Sequence, residues 1–320
     1  MSRQLDPLDT RIPAWDKTSL MHRHCPFCES EGIDRYIRPD GLHVRTCPTC
    51  HCYFISPAPS PKQLASFYST YYSRHRTAEH QQYLTDAVLL KEMLSLDPLS
   101  DVKVRTLASL MNLRGKRILD VGFGMGQSLV LFRKLGAIVT GIDLDRDSVE
   151  FAHARLKLEN VSTGDILSFD STSTYDLITL HDLIEHPSGP LEVLKKARSL
   201  LAPGGMISIW TPNASSADIE DNPVTFRVDL EHMQYLTFQT CRLIATTLRM
   251  TITHLSTHGS PKLGSIRRLS DESGSGESKR IFRRLLGPLP GFVQLNTLRK
   301  RLSQRRREQG TYHLFCVMRE

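Results

Sequence analysis

The stretch from Lys116 to Gly126, KRILDVGFGMG, constrains the fold of this chain more than any other. A short apolar run ends abruptly at three glycines spaced two residues apart, and helix-forming sequence follows them. This order predicts a buried strand, a tight turn and a helix N-terminus, because glycine tolerates positive φ angles and lets a ligand approach the backbone. The first turn of the helix would offer unpaired N–H groups to an anionic group.

The glycine spacing differs from that of the dinucleotide fingerprint, G-x-G-x-x-G. Here Gly122, Gly124 and Gly126 give G-x-G-x-G, and Asp120 precedes the first glycine by two residues. This D-x-G-x-G-x-G pattern resembles motif I of the class I methyltransferases that use S-adenosylmethionine. The resemblance implies that Asp120 and the three glycines bind that cofactor.

An acidic residue, Asp143, ends the next apolar segment, about twenty residues after the loop, where a carboxylate can accept hydrogen bonds from both ribose hydroxyls. Alternatively, Asp143 caps the helix predicted for residues 146–158, although Asp145 is the better-placed cap. The resemblance implies that Asp165 accepts from the adenine amino group, unless it is an ordinary turn residue. The remaining cofactor contacts that the resemblance implies are Leu144, Ile166 and His181.

Near the N-terminus, two C-x2-C pairs are separated by eighteen residues; they are Cys25, Cys28, Cys47 and Cys50. This spacing predicts a four-thiolate zinc ribbon, whose zinc is structural because four protein ligands leave no open position. Unpaired thiols or two disulfides are the alternatives. Four neighbouring side chains could substitute as ligands, namely His22, His24, His51 and Cys52.

The ribbon precedes an S-P-x-P-S turn and a helix predicted over Lys62–Tyr72, an order that resembles the N-terminal part of a bacterial methyltransferase group. In that group a zinc ribbon stands before the catalytic domain. One face of the predicted helix is apolar and aromatic, and we interpret it mainly as a packing surface. Its residues are Leu64, Phe67, Tyr68 and Tyr71.

From Lys116 onward the chain alternates strand and helix, which is typical of a doubly wound α/β sheet. The family resemblance implies a seven-stranded, Rossmann-like sheet with strand order 3-2-1-4-5-7-6. Residues 1–20 look irregular, a helix over 99–113 is expected with Asp97 as its cap, and Ala202–Gly205 reads as a turn before the fifth strand. The predicted units are residues 1–60 (N-terminal segment and ribbon), 61–115 (helical linker) and 116–320 (methyltransferase domain, with a basic insertion at 265–310).

The segment after the fourth strand, HDLIEH, carries four ionisable residues in six positions. His186, or with less support His181, could be a general base, because imidazole titrates near neutral pH. Alternatively, Asp182, Glu185 and His186 could bind Mg2+, because their D-x-x-E-H spacing resembles the metal-linked E-x-x-E-H of ubiquinone-pathway O-methyltransferases. A simple capped turn is the third interpretation.

A second resemblance to this subgroup follows the fifth strand, in the T-P-N of Thr211–Asn213 and the E-H of Glu231–His232. His232 is therefore the second candidate base, although a histidine in such a loop is as often structural. The candidate catalytic residues are His186, His232, Glu185 and His181.

The net charge of +7 is uneven, because residues 279–307 hold ten Lys and Arg and no acid. Such a basic amphipathic stretch can lie on an anionic membrane or grip phosphates, or it can be a solvated face that packs its apolar side. No apolar run is long enough to cross a bilayer, and the first residues lack a signal-peptide core. We expect a cytoplasmic protein, with peripheral contact to the inner face of the membrane as an option.

These features together favour an S-adenosylmethionine-dependent methyltransferase that acts on oxygen of a small-molecule, sugar, lipid-linked or quinone-like acceptor. The alternatives are a zinc-ribbon RNA base methyltransferase and a non-catalytic binding protein of the same fold. The acceptor, the methylated atom and the oligomeric state are left open by the sequence.

Overall fold

The structure, a computed structural model, describes five ranges of the chain: 2–8, 11–71, 87–215, 223–259 and 310–320. The basic stretch 279–307, with its predicted membrane contact, lies outside these ranges. None of the helices within them has the length and apolarity that a bilayer crossing requires.

The N-terminal part of the chain builds a small sheet and one helix. These elements are β1 (Arg3–Gln4), β2 (Ile33–Ile37), β3 (His43–Thr46), β4 (Tyr53–Ile55) and α1 (Pro61–Tyr68). The first residues are therefore not all irregular, because β1 pairs in parallel with β2. Helix α1 begins where Ser60 accepts a hydrogen bond from the Gln63 N–H, with Pro61 at the first helical position.

Two helices, α2 (Ala87–Ser95) and α3 (Val102–Leu110), lead into the large sheet. The predicted cap at Asp97 starts only a short 3-10 turn, Pro98–Ser100. The α-helix itself begins three residues later than predicted, because Asp101 accepts from the N–H groups of Lys103 and Val104.

The remaining elements form a seven-stranded sheet, its helices and one extra strand. They are β5 (Arg117–Val121), α4 (Gln127–Lys134), β6 (Ile138–Asp143), α5 (Arg146–Leu156), β7 (Val161–Thr163), β8 (Tyr175–His181), α6 (Pro190–Ser199), β9 (Leu201–Pro212), β10 (Gln234–Tyr235), α7 (Phe238–Thr247), β11 (Thr251–His258) and β12 (His313–Arg319). The strand order is β7-β6-β5-β8-β9-β12-β11, with β12 antiparallel to both neighbours. This is the predicted order 3-2-1-4-5-7-6, and the predicted fold class is confirmed.

The fifth strand of this sheet, β9, starts earlier than predicted. Ala202–Gly205 is not a separate turn, because Leu201 already pairs with Tyr175 of β8. The register then shifts so that Leu177 pairs with Met206, and the Pro-Gly-Gly residues are accommodated in that irregularity.

The two sheets are interlocked rather than joined only by the linker. Strand β10, which follows His232 in the chain, pairs with β4 of the N-terminal sheet. The buried Arg38 donates hydrogen bonds to the carbonyl oxygens of Leu230 and His232 and forms an ion pair with Asp40. The N-terminal sheet therefore holds the loop that carries His232. The predicted unit boundaries at residues 60 and 115 stay predictions.

Replacing Arg38 with methionine is expected to lower the free energy of unfolding by about 3–5 kcal/mol, because Asp40 would be left as a buried, unpaired carboxylate. Urea denaturation measures the loss. The matched control is Glu31→Gln, which removes an exposed carboxylate from Arg45 and should cost less than about 1 kcal/mol. Equal losses in the two variants would contradict the expectation.

Candidate functional site

The glycine loop after β5 has the backbone that its sequence predicts. Gly122, Gly124 and Gly126 have φ angles of +69°, +53° and +74°, which lie in the left-handed region. A Cβ added at Gly122 would also stand 2.8 Å from Leu183 Cδ1. The loop therefore requires glycine for its conformation, and a side chain at Gly122 would also require Leu183 to move.

Asp143, at the end of β6, holds this loop in place. One carboxylate oxygen accepts from the Gly124 N–H at 2.7 Å and the other from the Asp145 N–H at 2.8 Å. Helix α5 is capped by Asp145, which accepts from the Ser148 N–H at 2.9 Å, so the helix-cap alternative for Asp143 is excluded. Burial raises the pKa of Asp143 to about 6, although its backbone hydrogen bonds oppose the shift.

Asp120 lies on β5, behind the loop. Its carboxylate accepts a 2.6 Å hydrogen bond from the Thr179 hydroxyl on β8, and it does not line the cleft described below. Burial raises the pKa of Asp120 to about 6, with the Thr179 hydrogen bond opposing. The structure therefore does not bring Asp120 to the cleft as the cofactor contact that the resemblance implies.

The buried carboxyl of Asp120 predicts a pH-dependent stability. Between about pH 4 and pH 6 it is protonated in the folded chain and ionised in the unfolded one, so folding takes up a proton and stability falls as the pH rises. Asn cannot ionise, so the Asp120→Asn variant does not lose stability in this way as the pH rises. From pH 4 to pH 7.5 its free energy of unfolding, relative to the wild type, is expected to rise by about 2–3 kcal/mol in urea titrations.

Asp176 supplies a control of opposite sign. Partial burial would raise the pKa of its carboxyl, but hydrogen bonds from Lys116 and the Arg117 N–H outweigh this and lower the pKa. That contribution to stability is present above the unfolded pKa and is lost in acid, so Asp176→Asn should lose stability relative to the wild type as the pH rises. Parallel trends in the two variants would contradict our assignment.

A cleft of about 270 Å³ lies over the glycine loop and the carboxyl ends of β5, β6 and β8. The predicted cofactor residues that line it are Gly122, Gly124, Asp143, Leu144, Asp165 and Ile166. His186, the candidate general base, lines the same cleft. So do Tyr68 and Tyr71 from the N-terminal part of the chain. One continuous space therefore joins the glycine loop to an imidazole.

His181 lies elsewhere. Its Nε2 is 2.7 Å from the Ser208 hydroxyl on β9, its ring packs edge-on against Phe315, and it does not line the cleft. Burial lowers the pKa of His181 well below its ordinary value, with the nearby Lys103 adding to the shift. This placement supports neither of its two predicted roles, so we leave it out of the proposals below.

The acceptor side brings together three predicted residues from two segments. The rings of His186 and His232 lie 4.8 Å apart in an edge-on arrangement. Glu185 is fully buried beneath them, and its Oε2 accepts from the Thr211 hydroxyl at 2.9 Å. Burial raises the pKa of Glu185 well above its ordinary value, and the neighbouring Asp182 adds to the shift.

The alternative in which Asp182, Glu185 and His186 bind Mg2+ finds no support in the structure. Ligand atoms of Glu185, His186 and His232 lie within 4.8 Å of one another, and Asp182 is not part of this group. The segment is a turn in which Asp182 has a φ of +50°, so the i, i+3 spacing does not align side chains as it would on a helix. Two imidazoles and one carboxylate suit a transition metal better than Mg2+.

Sequence reasoning assigned no chemical role to three residues beside these histidines. The Tyr68 hydroxyl lies 2.6 Å from His186 Nδ1 and donates to the Glu231 carbonyl oxygen at 3.0 Å. The Tyr71 hydroxyl donates to Glu231 Oε1 at 2.6 Å. The available signal was that two residues of the aromatic face are tyrosines, whose hydroxyls need partners when buried.

The four predicted cysteines form a cluster in the N-terminal sheet. Their sulfurs lie within 4.8 Å of one another, with 3.4 Å between Cys25 and Cys50 and 3.3 Å between Cys28 and Cys47. Tetrahedral zinc with 2.3 Å bonds needs sulfurs about 3.8 Å apart, so the cluster is of the right size. The substitute ligands His22, His24, His51 and Cys52 are not in this group.

Residues 97–249 match the family model described as a methyltransferase domain. The ubiquinone biosynthesis O-methyltransferase of Coxiella burnetii is 32% identical over 128 residues, 38% of this chain and 54% of that protein. The enzyme of the same name from Vibrio parahaemolyticus is 33% identical over 109 residues, 31% of this chain and 45% of that protein. The chain thus spans about half the length of these curated relatives.

Among solved structures, the 1,6-didemethyltoxoflavin-N1-methyltransferase of Burkholderia thailandensis is similar with a TM-score of 0.48 and 14% identity, over 90% of this chain and 98% of that one. The fold is assigned from the strand order. The similarity to the methyltransferase family is shown by the matched domain and by the curated relatives. Residues 97–249, less than half of the chain, therefore match the methyltransferase-domain family, and the strand order of the large sheet is that of Rossmann-like methyltransferases.

Proposed function

We propose that the chain transfers a methyl group from S-adenosylmethionine to an oxygen atom of a small-molecule acceptor. The observation that carries this proposal is the single cleft that joins the glycine loop and Asp143 to His186. Ligands of open α/β sheets bind at the carboxyl ends of the strands, where this cleft lies. The bound sulfonium would supply an activated methyl group.

Four residues would hold the cofactor at one end of the cleft. Asp143 would accept hydrogen bonds from the ribose hydroxyls, and Gly122 and Gly124 would let the cofactor approach the backbone. Asp165 would accept from the adenine amino group. Asp165 caps a short 3-10 turn, Ile166–Ser168, through Oδ1, which receives the Leu167 N–H, so its Oδ2 would serve this purpose.

At the other end, His186 would receive the proton that an acceptor hydroxyl loses. His232, whose ring lies 4.8 Å from the His186 ring but does not line the cleft, is the second candidate. A proton acceptor held next to the reacting atom is the main help that the protein can give to such a transfer. Glu185, which is fully buried with a carboxylate oxygen within 4.8 Å of a ring nitrogen of each histidine, would position them. The relatives named as ubiquinone biosynthesis O-methyltransferases, together with the rings of Tyr68 and Tyr71 in the cleft, favour a flat hydroxylated acceptor.

We further propose that Cys25, Cys28, Cys47 and Cys50 hold a structural zinc ion. Their thiol chemistry and their separations fit zinc, and four protein ligands leave no position for a reactant. RNA methylation, the alternative, depends on the basic stretch outside the described residues, and we do not propose it.

The cofactor site is tested by replacing Asp143 with asparagine. Loss of the carboxylate removes charge-assisted hydrogen bonds, each worth about 1.5–3 kcal/mol, so the Kd for S-adenosylhomocysteine in calorimetry should rise about ten- to a hundredfold. The matched control is Asp170→Asn, an exposed carboxylate outside the cleft, which should leave the Kd unchanged. An unchanged Kd in the Asp143 variant would contradict the assignment.

The reaction class is tested with tritiated S-adenosylmethionine and a panel of acceptors. Catechol and 3,4-dihydroxybenzoate represent flat phenols, methyl glucoside represents sugars, and a transfer-RNA transcript represents nucleic acid. We expect label in a phenol or sugar ether. Label in the RNA alone would overturn the proposed acceptor class, and failure of the wild type to bind S-adenosylhomocysteine would overturn the proposal as a whole.

A further inference from the structure

The Tyr68 hydroxyl lies within hydrogen-bond distance of a carbonyl oxygen and of a histidine ring nitrogen, and it cannot donate its one proton to both. It lies 3.0 Å from the Glu231 carbonyl oxygen and 2.6 Å from His186 Nδ1. A carbonyl oxygen can only accept, and a phenol has one proton to give. Both hydrogen bonds can therefore be made at once only if the hydroxyl donates to Glu231 and His186 Nδ1 donates to the phenol oxygen.

The Glu231 carbonyl is itself held in place for this bond. The Glu231 carboxylate is buried and accepts from the hydroxyl of Tyr71, three residues after Tyr68 and beyond the end of α1. The two residues that flank Glu231 in the chain are also held, because the buried Arg38 donates to the carbonyl oxygens of Leu230 and His232. Three consecutive carbonyl groups are thus fixed, and the phenol proton has a preorganised acceptor.

We propose that Tyr68 is a positioning residue that keeps the proton of neutral His186 on Nδ1. A neutral imidazole carries one proton, so Nε2 is then left without one and is the atom that can accept a proton. The hydroxyl also fixes the ring orientation, and the two rings lie in an edge-on contact at 4.9 Å. The N-terminal part of the chain thereby completes a site that the methyltransferase domain does not complete alone.

This inference rests on the proposed function and adds one residue and one tautomer to it. In the transfer, the bond between sulfur and the methyl carbon breaks with its electron pair going to sulfur, and the acceptor oxygen forms the new bond to that carbon. The acceptor O–H proton passes to His186 Nε2. The resulting imidazolium still donates from Nδ1 to Tyr68, and it returns the proton to water after the product leaves.

The test is a tautomer measurement that needs no acceptor. Full-length protein labelled with [15N]histidine gives long-range 1H–15N correlation spectra that tell a protonated ring nitrogen from an unprotonated one, and His186→Gln assigns the signals. We expect the proton on Nδ1 of His186 in the wild type. In Tyr68→Phe the equilibrium should move toward the Nε2–H form, which free histidine favours.

Tyr175→Phe is the matched control, because it removes a buried phenol outside the cleft, whose hydroxyl lies 3.5 Å from the Ser171 hydroxyl. It should keep the wild-type tautomer. A wild-type proton on Nε2, or the same tautomer in the wild type and in Tyr68→Phe, would overturn the inference. Calorimetry with S-adenosylhomocysteine, expected to give Kd values within threefold for Tyr68→Phe and the wild type, separates this failure from failure of the proposed function.

Where the acceptor panel yields a substrate, Tyr68→Phe is expected to lower kcat about ten- to a hundredfold. A fall in kcat without the tautomer change would show that Tyr68 acts on packing or on the acceptor, which overturns the assigned role. A tautomer change accompanied by a fall in kcat supports it.

Discussion

If the proposed zinc site is correct, replacing Cys50 with serine is expected to remove the metal and to destabilise the whole N-terminal sheet. A structural zinc site of four thiolates contributes directly to folding, on the order of 10 kcal/mol in zinc-finger peptides, because the site does not exist in the unfolded chain. We expect metal analysis to give about one zinc per wild-type chain and close to none in Cys50→Ser. The apparent melting temperature should fall accordingly.

The effect should reach the acceptor side of the cleft. The Cys50 carbonyl oxygen accepts hydrogen bonds from Thr237 and Thr240 at the start of α7, and β4 pairs with β10 just after His232. Loss of the metal should therefore speed hydrogen exchange at the β10 amides while leaving those of β5 and β6 protected. The Kd for S-adenosylhomocysteine should change less than threefold.

His51→Ala is the matched control for the zinc prediction, because His51 is exposed, follows Cys50 directly and is not in the sulfur cluster. It should retain the metal. Full zinc content in Cys50→Ser, or zinc loss in His51→Ala, would show that the ligand set differs from the four cysteines.

Replacing His186 with glutamine is expected to lower kcat for the best acceptor of the panel about 10²–10⁴-fold, the usual contribution of a positioned proton acceptor. The reason is that glutamine keeps the approximate size of the side chain but cannot take up a proton. Initial rates of tritium transfer measure the effect at saturating cofactor.

The same variant should bind S-adenosylhomocysteine with a Kd within threefold of the wild type, since Gly122, Gly124 and Asp143 are untouched. His153→Gln, an exposed histidine on α5 outside the cleft, is the control and should keep the wild-type kcat. A small effect at His186 together with a large one in His232→Gln would transfer the role of base to His232.

The sheet and the cofactor end were predictable because their signals are local. Three glycines directly after a buried strand predicted the positive φ angles, and an acid at the end of the next strand predicted that Asp143 lies at the cleft. The alternation of strand and helix, with the family resemblance, predicted the strand order. Errors at Asp97 and at Ala202–Gly205 arose where a neighbouring cap or a strand irregularity determined the boundary.

The acceptor end was not predictable in the same way, because its members are far apart in the chain. Tyr68 and His186 are separated by 118 residues, and Tyr71 and Glu231 by 160. The D-x-x-E-H spacing placed Asp182 with Glu185 and His186, whereas the turn excludes Asp182 and the fold brings in His232.

The sequence by itself therefore determined the class of fold, the glycine loop and the four-cysteine cluster, since neighbouring residues specify turns and knuckles through their own backbone and side-chain chemistry. Only the tertiary structure decided which histidines face one another and which phenol contacts them. Those contacts depend on β4 pairing with β10 and on the buried Arg38, and packing between distant segments has no counterpart in local spacing.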